Sequence, residues 1–150
     1  MHVQPVKLPL LLELDLPEAT PSNNELRGMH FRAYLKLRHQ WQFIVLGALP
    51  EGGMPAQPIE RCFIHIERHS AGAGLDWDNA YGGLKPLLDC LVQGSDRNPD
   101  GLGIIFDDSP AYMPYAPLIQ QHKAKPGHGR TVVRIFDATG FTLQTSDWLQ

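Results

Sequence analysis

The sequence predicts a single α+β (α/β-type) domain, in which a mixed β-sheet of about four strands packs against two main helices. The chain has 150 residues, a length typical of one domain. Its composition, 43% hydrophobic and 19% charged, is that of an ordinary globular protein. The apolar residues alternate between a spacing of two and a helical spacing along the chain, which indicates both strands and helices. We therefore treat residues 1–150 as one domain.

The first half of the chain predicts two strands and one helix. Leucines at every second position of residues 10–16 indicate a half-buried strand. The turn formers of residues 18–24 then predict a loop. Apolar residues at helical spacing in residues 30–49, among them Trp41, predict a long helix. Alternation in residues 61–68 predicts the second strand.

The second half predicts a shorter helix and two further strands. Leu84, Leu87, Leu88 and Leu91 have helical spacing, and Pro86 places the helix start near residues 82–85, because proline is tolerated in the first turn. The remaining predictions are a buried strand at 102–106, a long loop at 109–129 with a strand near 111–113, and a last strand at 131–136.

Two pairs of acids are the strongest functional signal. Asp76 and Asp78 are separated by one residue, so on extended backbone both side chains would lie on the same side. Asp107 and Asp108 follow the predicted strand at 102–106. Carboxylates are preferred ligands of hard divalent cations, and their crowding is unfavourable without one, so the pattern predicts a Mg²⁺ site.

Each of these residues also has an ordinary structural interpretation. A single surface aspartate is more often a turn or helix-cap residue than a metal ligand, and Asn79 is typical of an N-cap. Lys85 is typical of a solvated helix lysine, and Asp89 can pair with it four residues away. Trp77 has two interpretations, packing against the core and stacking on a nucleic-acid base.

The charge distribution leaves nucleic-acid binding open. A formal net charge of −3 argues against it, because such domains are commonly basic. Cations bound at the acid cluster would reverse the local sign, however. The basic residues also form two groups with few acids nearby: Arg27, Arg32, Lys36 and Arg38, and then Lys123, Lys125, Arg130 and Arg134.

Other sequence features point to a reducing compartment and exclude several enzyme classes. Cys62 and Cys90 have no metal-ligand or redox spacing, so we expect buried thiols. The leucine run at 8–12 is too short for a signal peptide or a membrane span, which predicts a cytoplasmic protein with no membrane association. The sequence contains no phosphate-binding loop and no nucleophile elbow. None of the seven histidines is assigned a role.

Three sequence pieces, in this order, carry a family resemblance. They are Pro21-Ser22-Asn23-Asn24, then Leu75-Asp76-Trp77-Asp78-Asn79 with Lys85 and Leu88-Asp89 behind it, and Ile105-Phe106-Asp107-Asp108-Ser109. In these pieces the chain resembles the RusA-like Holliday junction resolvases, small endodeoxyribonucleases (crossover junction endodeoxyribonucleases) of phages and prophages. The resemblance covers about residues 8–136 and leaves 137–150 unassigned. The chain differs from the family pattern by three extra residues before Lys85, Tyr81-Gly82-Gly83.

The resemblance implies a function and a set of site residues. It implies a Mg²⁺-dependent homodimeric endonuclease that cleaves four-way junctions and other branched DNA in recombination and repair, in a bacterial cytoplasm; Mn²⁺ is expected as a substitute. The alternatives are a DNA-binding module of the same fold without efficient catalysis, and a flap or single-strand nuclease.

The implied site residues follow from the matched motifs. Asp76, Asp78 and Asp108 are the expected metal ligands, with Asp107 beside them. Lys85 is the expected catalytic lysine, and Asp89 and Asn79 are expected in support. Expected DNA contacts are Asn23, Asn24, Arg32, Lys36, Lys123, Lys125 and Arg130.

Overall fold

The computed structural model describes residues 7–142, and these residues form a four-stranded mixed sheet with helices on one face. The strands are β1 (Leu10–Leu16), β2 (Cys62–Ser70), β3 (Leu118–Lys123) and β4 (Arg130–Asp137). Their order in the sheet is β1-β4-β2-β3. β4 runs antiparallel to both β1 and β2, whereas β3 is parallel to β2 and forms an edge. The predicted fold class is confirmed.

The helices are α1 (Asn23–Leu26), α2 (Phe31–Ala48), α3 (Trp77–Gly82) and α4 (Lys85–Leu91). The two predicted main helices correspond to α2 and α4. The ring of His30 caps α2 by accepting a hydrogen bond from the Arg32 N–H, and Pro86 occupies the first turn of α4 as predicted.

The core lies between the helices and one face of the sheet. Alternate residues of the strands point into it, as their spacing of two predicts. The opposite sheet face carries charged and histidine side chains, including Glu67 and Arg134. The largest fully buried side chains include Leu14, Leu16, Trp41, Val45, Ile64, Ile66, Leu84, Leu87, Leu91, Ile104, Ile105 and Ile135.

The two cysteines are buried and unpaired, as expected. Burial raises the pKa of the Cys62 thiol to about 11 and, together with the charges of Asp100 and Asp89, that of Cys90 to about 12. Among residues 7–142, no helix is both long enough and apolar enough to cross a membrane.

The prediction of a strand at 102–106 is wrong. The segment makes only isolated bridges, Gln93 to Leu102 and Ile59 to Ile105. Its N–H groups donate instead to carbonyls at the end of α4, such as those of Cys90 and Leu91. The last carbonyls of a helix have no partner inside the helix, so an apolar segment that satisfies them is stabilised without joining a sheet.

The prediction of a long loop at 109–129, with a strand near 111–113, is also wrong. The strand in this region is β3, at Leu118–Lys123. Only Ile119 of β3 is buried, because an edge strand with one solvated face needs few apolar residues. The sequence LIQQHK therefore has almost no alternating apolar signal.

Two short helices were not predicted. Asn23 and Asn24 lie in α1 rather than in a loop, because Ser22 and Glu25 form a capping box that starts a helix there. The premise that Asp76 and Asp78 share one extended segment is also wrong. Asp76 is the N-cap of α3, and Asp78 lies in the first turn of that helix.

Candidate functional site

The segment Pro21–Asn24 packs directly against α3. The backbone N–H of Asn24 donates to the Asn79 side-chain oxygen at 3.0 Å. A Cβ atom on Gly83 would lie 1.7 Å from the Pro21 carbonyl oxygen, so only glycine permits this approach. The first and second pieces of the sequence resemblance are thus in contact, and the extra Gly83 is part of that contact.

Asp76 is held in place by its own helix and by β3. Its Oδ1 accepts hydrogen bonds from the Asn79 backbone N–H at 3.0 Å and from the Asn79 side-chain amide at 3.1 Å. The Gln121 side chain holds the preceding residue, accepting from the Leu75 N–H at 2.7 Å and donating to the Leu75 carbonyl at 2.8 Å. Asp76 and Asp78 are both exposed, so they can receive a ligand from solvent.

Lys85, Asp89 and Tyr34 form a connected group between α2 and α4. The Lys85 ammonium donates to Asp89 Oδ2 at 3.3 Å, and the Tyr34 hydroxyl donates to the same oxygen at 2.5 Å. The Lys85 nitrogen also lies 5.6 Å from the centre of the Tyr34 ring, within cation–π range. Burial, and then the hydrogen bond to Asp89, raise the pKa of Tyr34, so its hydroxyl stays protonated and remains a donor.

Residues 102–106 are fastened to the end of α4, and Asp107 and Asp108 follow them directly. Burial, followed by the charges of Asp107 and Asp89, raises the pKa of the Asp108 carboxyl. The Asp108 residue as a whole is exposed. Hydrogen bonding from Ser109 lowers the pKa of Asp107. Asp107 and Asp89 are therefore both close enough to Asp108 for their charges to act on it.

The predicted DNA-contact residues are distributed over several elements. Asn23 and Lys85 border one groove of about 450 Å³, which Arg27, Phe31, Tyr34 and Gly82 also line. Arg32 and Lys36 are exposed on α2, and Lys123 and Lys125 are exposed at and beyond the end of β3. Arg130 is paired with Asp15 at 3.1 Å.

Trp77 is exposed rather than packed. Its side chain is 59% exposed, and its ring centroid lies 6.2 Å from that of Tyr81 on the same helix. The packing interpretation of Trp77 is therefore wrong. Two accessible aromatic rings lie on the helix that begins at Asp76.

The four predicted acids do not form a tight ligand set among the described residues. Within residues 7–142, the histidine, cysteine and carboxylate ligand atoms of three residues come within 4.8 Å of one another at Glu67, His69 and His122. No three of Asp76, Asp78, Asp107 and Asp108 bring carboxylate oxygens to that spacing, so a cation held by three of them would require these side chains to move. The donor set itself consists of carboxylate oxygens and fits Mg²⁺.

The histidine group was missed by the sequence analysis, which assigned no role to any histidine. The available signal was weak. Glu67 and His69 lie two apart on a strand and so share a face, but His122 joins them only through the pairing of β2 with the unpredicted strand β3.

Comparison with protein families and with curated proteins returns no match to this chain.

Proposed function

We propose that this protein is a Mg²⁺-dependent endodeoxyribonuclease that hydrolyses phosphodiester bonds in branched DNA, with the four-way junction as its substrate. The observation that carries the proposal is that the first and the third sequence piece each lie near a part of the second piece. Asn24 donates to Asn79 beside Asp76, and Asp89, which pairs with Lys85, is close enough to Asp108 for its charge to act on that carboxyl. These pieces are also the ones that resemble the RusA-like resolvases.

The acids are the proposed cation ligands. Asp76, Asp78 and Asp108 would hold Mg²⁺, with Asp107 beside them, and Mn²⁺ would substitute because it accepts the same oxygen ligands. When bound, the ion would polarise the scissile phosphate and lower the pKa of the attacking water. Burial, and then the charges of Asp107 and Asp89, raise the pKa of the Asp108 carboxyl, and a bound cation would offset those charges.

Lys85 is the proposed electrostatic partner of the phosphate. Its side chain is 63% exposed, so its ammonium can reach a bound backbone while Asp89 and Tyr34 set its position. A cation aimed at the phosphate stabilises the negative charge that develops in the transition state. Residues 81–83, which are extra to the family pattern, lie at the end of α3. Lys85 is the first residue of α4.

DNA contact is assigned to the polar and basic residues around the site. Asn23 and Asn24 lie beside Asn79, and Arg32 and Lys36 are exposed on α2. Lys123, Lys125 and Arg130 extend the basic surface, so binding should weaken as salt rises. The family resemblance supports a homodimer that presents one site to each of two symmetric strands, and a bacterial cytoplasmic setting.

The test is cleavage of a synthetic four-way junction in Mg²⁺ by the wild type and by Asp78→Asn. We expect the substitution to lower the cleavage rate at least about 100-fold, because it removes a charge that acts on the metal and the phosphate. Asp96→Asn is the matched control, since Asp96 is an exposed aspartate in the 94–101 connection. Equal cleavage by wild type and Asp78→Asn would remove the assignment.

A substrate panel separates this proposal from two alternatives. The exposed rings of Trp77 and Tyr81 favour contact with unpaired bases. If the protein cleaves flaps or single strands faster than junctions, those are its substrates. The separation of the acidic oxygens favours a DNA-binding module. Junction binding without turnover in Mg²⁺ or Mn²⁺ would establish that alternative.

A further inference from the structure

The open face of the sheet holds a second group of potential metal ligands, apart from the acids of the proposed active site. Glu67 and His69 lie two apart on β2, and His122 is the register partner of His69 on β3. The two imidazole rings are stacked, with centroids 4.8 Å apart and an interplanar angle of 20°. One ligand atom from each of the three residues lies within 4.8 Å of the others.

His69 supplies a second, independent observation. Its Nε2 atom is buried and makes no hydrogen bond among the described residues. The Glu67 Oε2 atom is near at 3.5 Å, but this contact does not have hydrogen-bond geometry. A buried polar atom without a partner is costly, and a metal ion would satisfy the imidazole nitrogen through its lone pair.

Glu67 is oriented so that one oxygen is anchored and the other is available. Arg134 donates to Oε1 at 2.8 Å, and this hydrogen bond is the main cause that lowers the pKa of Glu67. Oε2 is the oxygen that faces His69. The charge of Arg134 is shared with Glu13, whose carboxylate lies 2.8 Å away, so it does not face the site uncompensated. Anchoring of this kind is typical of the residues behind a metal ligand.

The spacing is suited to a small tetrahedral ion. With zinc–ligand distances near 2.0–2.1 Å, two ligands of a tetrahedral site lie roughly 3.4 Å apart. The Glu67 and His69 ligand atoms already have that separation, at 3.5 Å. Imidazole nitrogen together with carboxylate oxygen is a donor set for Zn²⁺ rather than for Mg²⁺, which prefers oxygen alone.

We propose that Glu67, His69 and His122 form a Zn²⁺ site with three protein ligands and one position open to solvent. The ion would connect β3 to β2. Because β3 is an edge strand held by one parallel partner, such a cross-link would stabilise the weakest side of the sheet. The site is independent of the proposed nuclease function and uses none of its residues.

The experiment titrates tag-free, metal-stripped full-length protein with Zn²⁺, and separately with Co²⁺ as a spectroscopic substitute. We expect one ion per chain, Co²⁺ absorption of tetrahedral intensity, and a rise in Tm of about 5 °C or more at saturation. We also expect slower amide exchange in residues 118–123 when Zn²⁺ is bound. Absence of stoichiometric binding by the wild type would overturn the proposal.

Variants locate the ion. His122→Ala should lose the Zn²⁺-dependent Tm rise and the Co²⁺ spectrum, and it should fold normally because His122 is exposed on the edge strand. His128→Ala is the matched control, an exposed histidine in the turn before β4, and should bind as the wild type does. Unchanged binding by His122→Ala would contradict the site.

Two further measurements complete the test. Asp108→Asn should retain Zn²⁺ binding. If this variant loses Zn²⁺ binding, the ion binds at the acid cluster and the assignment is overturned. In the unsubstituted protein, Co²⁺ should shift the ring proton resonances of His69 and His122 and leave those of His128 in place. Shifts confined to other histidines would contradict the proposal without relying on any variant.

Discussion

Asp100 fixes the connection that leads from α4 towards Asp107 and Asp108. Its carboxylate accepts a hydrogen bond from Arg38 at 2.9 Å, and it lies 3.1 Å from His39 Nδ1. The side chains of Arg38 and Asp100 are 7% and 13% exposed, so the pair is largely buried. Burial acts to raise the pKa of Asp100, but the hydrogen bonds and charges of Arg38 and His39 outweigh it and lower the pKa below its ordinary value.

We predict that Asp100→Asn lowers the free energy of unfolding by about 3 kcal/mol at pH 7, because Arg38 is left as a buried cation without its carboxylate. Since the folded pKa is lowered, the stabilisation is present above the unfolded value near 3.9 and is lost as the pH falls through the folded value. Urea unfolding at several pH values measures this. The difference from wild type should shrink below about pH 4, whereas Asp96→Asn should unfold like the wild type throughout; a constant difference would contradict the assignment.

The candidate metal ligands could be identified from the sequence, but the residues that hold the site in position could not. Asp76, Asp78 and Asp108 are recognisable by spacing and by the resemblance. Tyr34 contacts Lys85 and its partner Asp89, and Gln121 holds the backbone before Asp76. Tyr34 and Gln121 come from elements that are distant in sequence from the residues they hold. Their contacts depend on tertiary packing, for which periodicity gives no signal.

At the scale of elements, β3 positions the start of α3. Gln121 accepts from and donates to the backbone of Leu75, which immediately precedes Asp76. The neighbouring Gln120 is exposed and instead contacts the His65 ring nitrogen at 2.8 Å. Of these two adjacent glutamines, Gln121 therefore holds the segment before Asp76, and Gln120 does not.

We predict that Gln121→Ala lowers the rate of junction cleavage about 10–100-fold, because the segment that carries Asp76 loses both hydrogen bonds. Removal of a residue that orients a metal ligand typically lowers metal affinity or activity by this factor. Single-turnover rates at saturating Mg²⁺ measure it. Gln120→Ala provides the control and should cleave at the wild-type rate. Equal rates for both variants would mean that Gln121 has no positioning role.

The contact between Pro21 and Gly83 joins the N-terminal segment to the junction of α3 and α4. We predict that Gly83→Ala lowers the free energy of unfolding by about 1–3 kcal/mol, since its Cβ atom cannot fit beside the Pro21 carbonyl. In Gly47→Ala, by contrast, the added Cβ meets nothing within 4 Å on α2. That substitution should raise stability by up to about 1 kcal/mol through helix propensity. Thermal unfolding of the two variants checks both signs, and a stable Gly83→Ala would refute the close contact.

Elements with a strong apolar period were predictable, and those without one were not. β1, β2, β4, α2 and α4 all present a regular buried face to the core. By contrast, β3 has one buried residue, and α3 has Ala80 alone. The segment 102–106 was apolar enough for a strand, but carbonyls at the end of α4 compete successfully for its N–H groups.

At the scale of the whole molecule, two potential cation sites differ in ligand chemistry. The acids at residues 76, 78, 107 and 108 offer oxygen alone, whereas Glu67, His69 and His122 offer a mixed set on the open sheet face. A net charge of −3 opposes DNA binding, and cations that neutralise the acids locally would reduce this opposition. The proposed function therefore depends on the acids acting as one cation site.

The most direct measurement is anomalous diffraction from crystals soaked in Mn²⁺, which binds oxygen ligands and scatters strongly enough to be located. We predict a peak bounded by the carboxylates of Asp76, Asp78 and Asp108, with those side chains rotated towards it and Lys85 nearby. Asp78→Asn crystals should lose that peak. Wild-type crystals with no peak among these acids, or with Mn²⁺ only at Glu67, His69 and His122, would contradict the account.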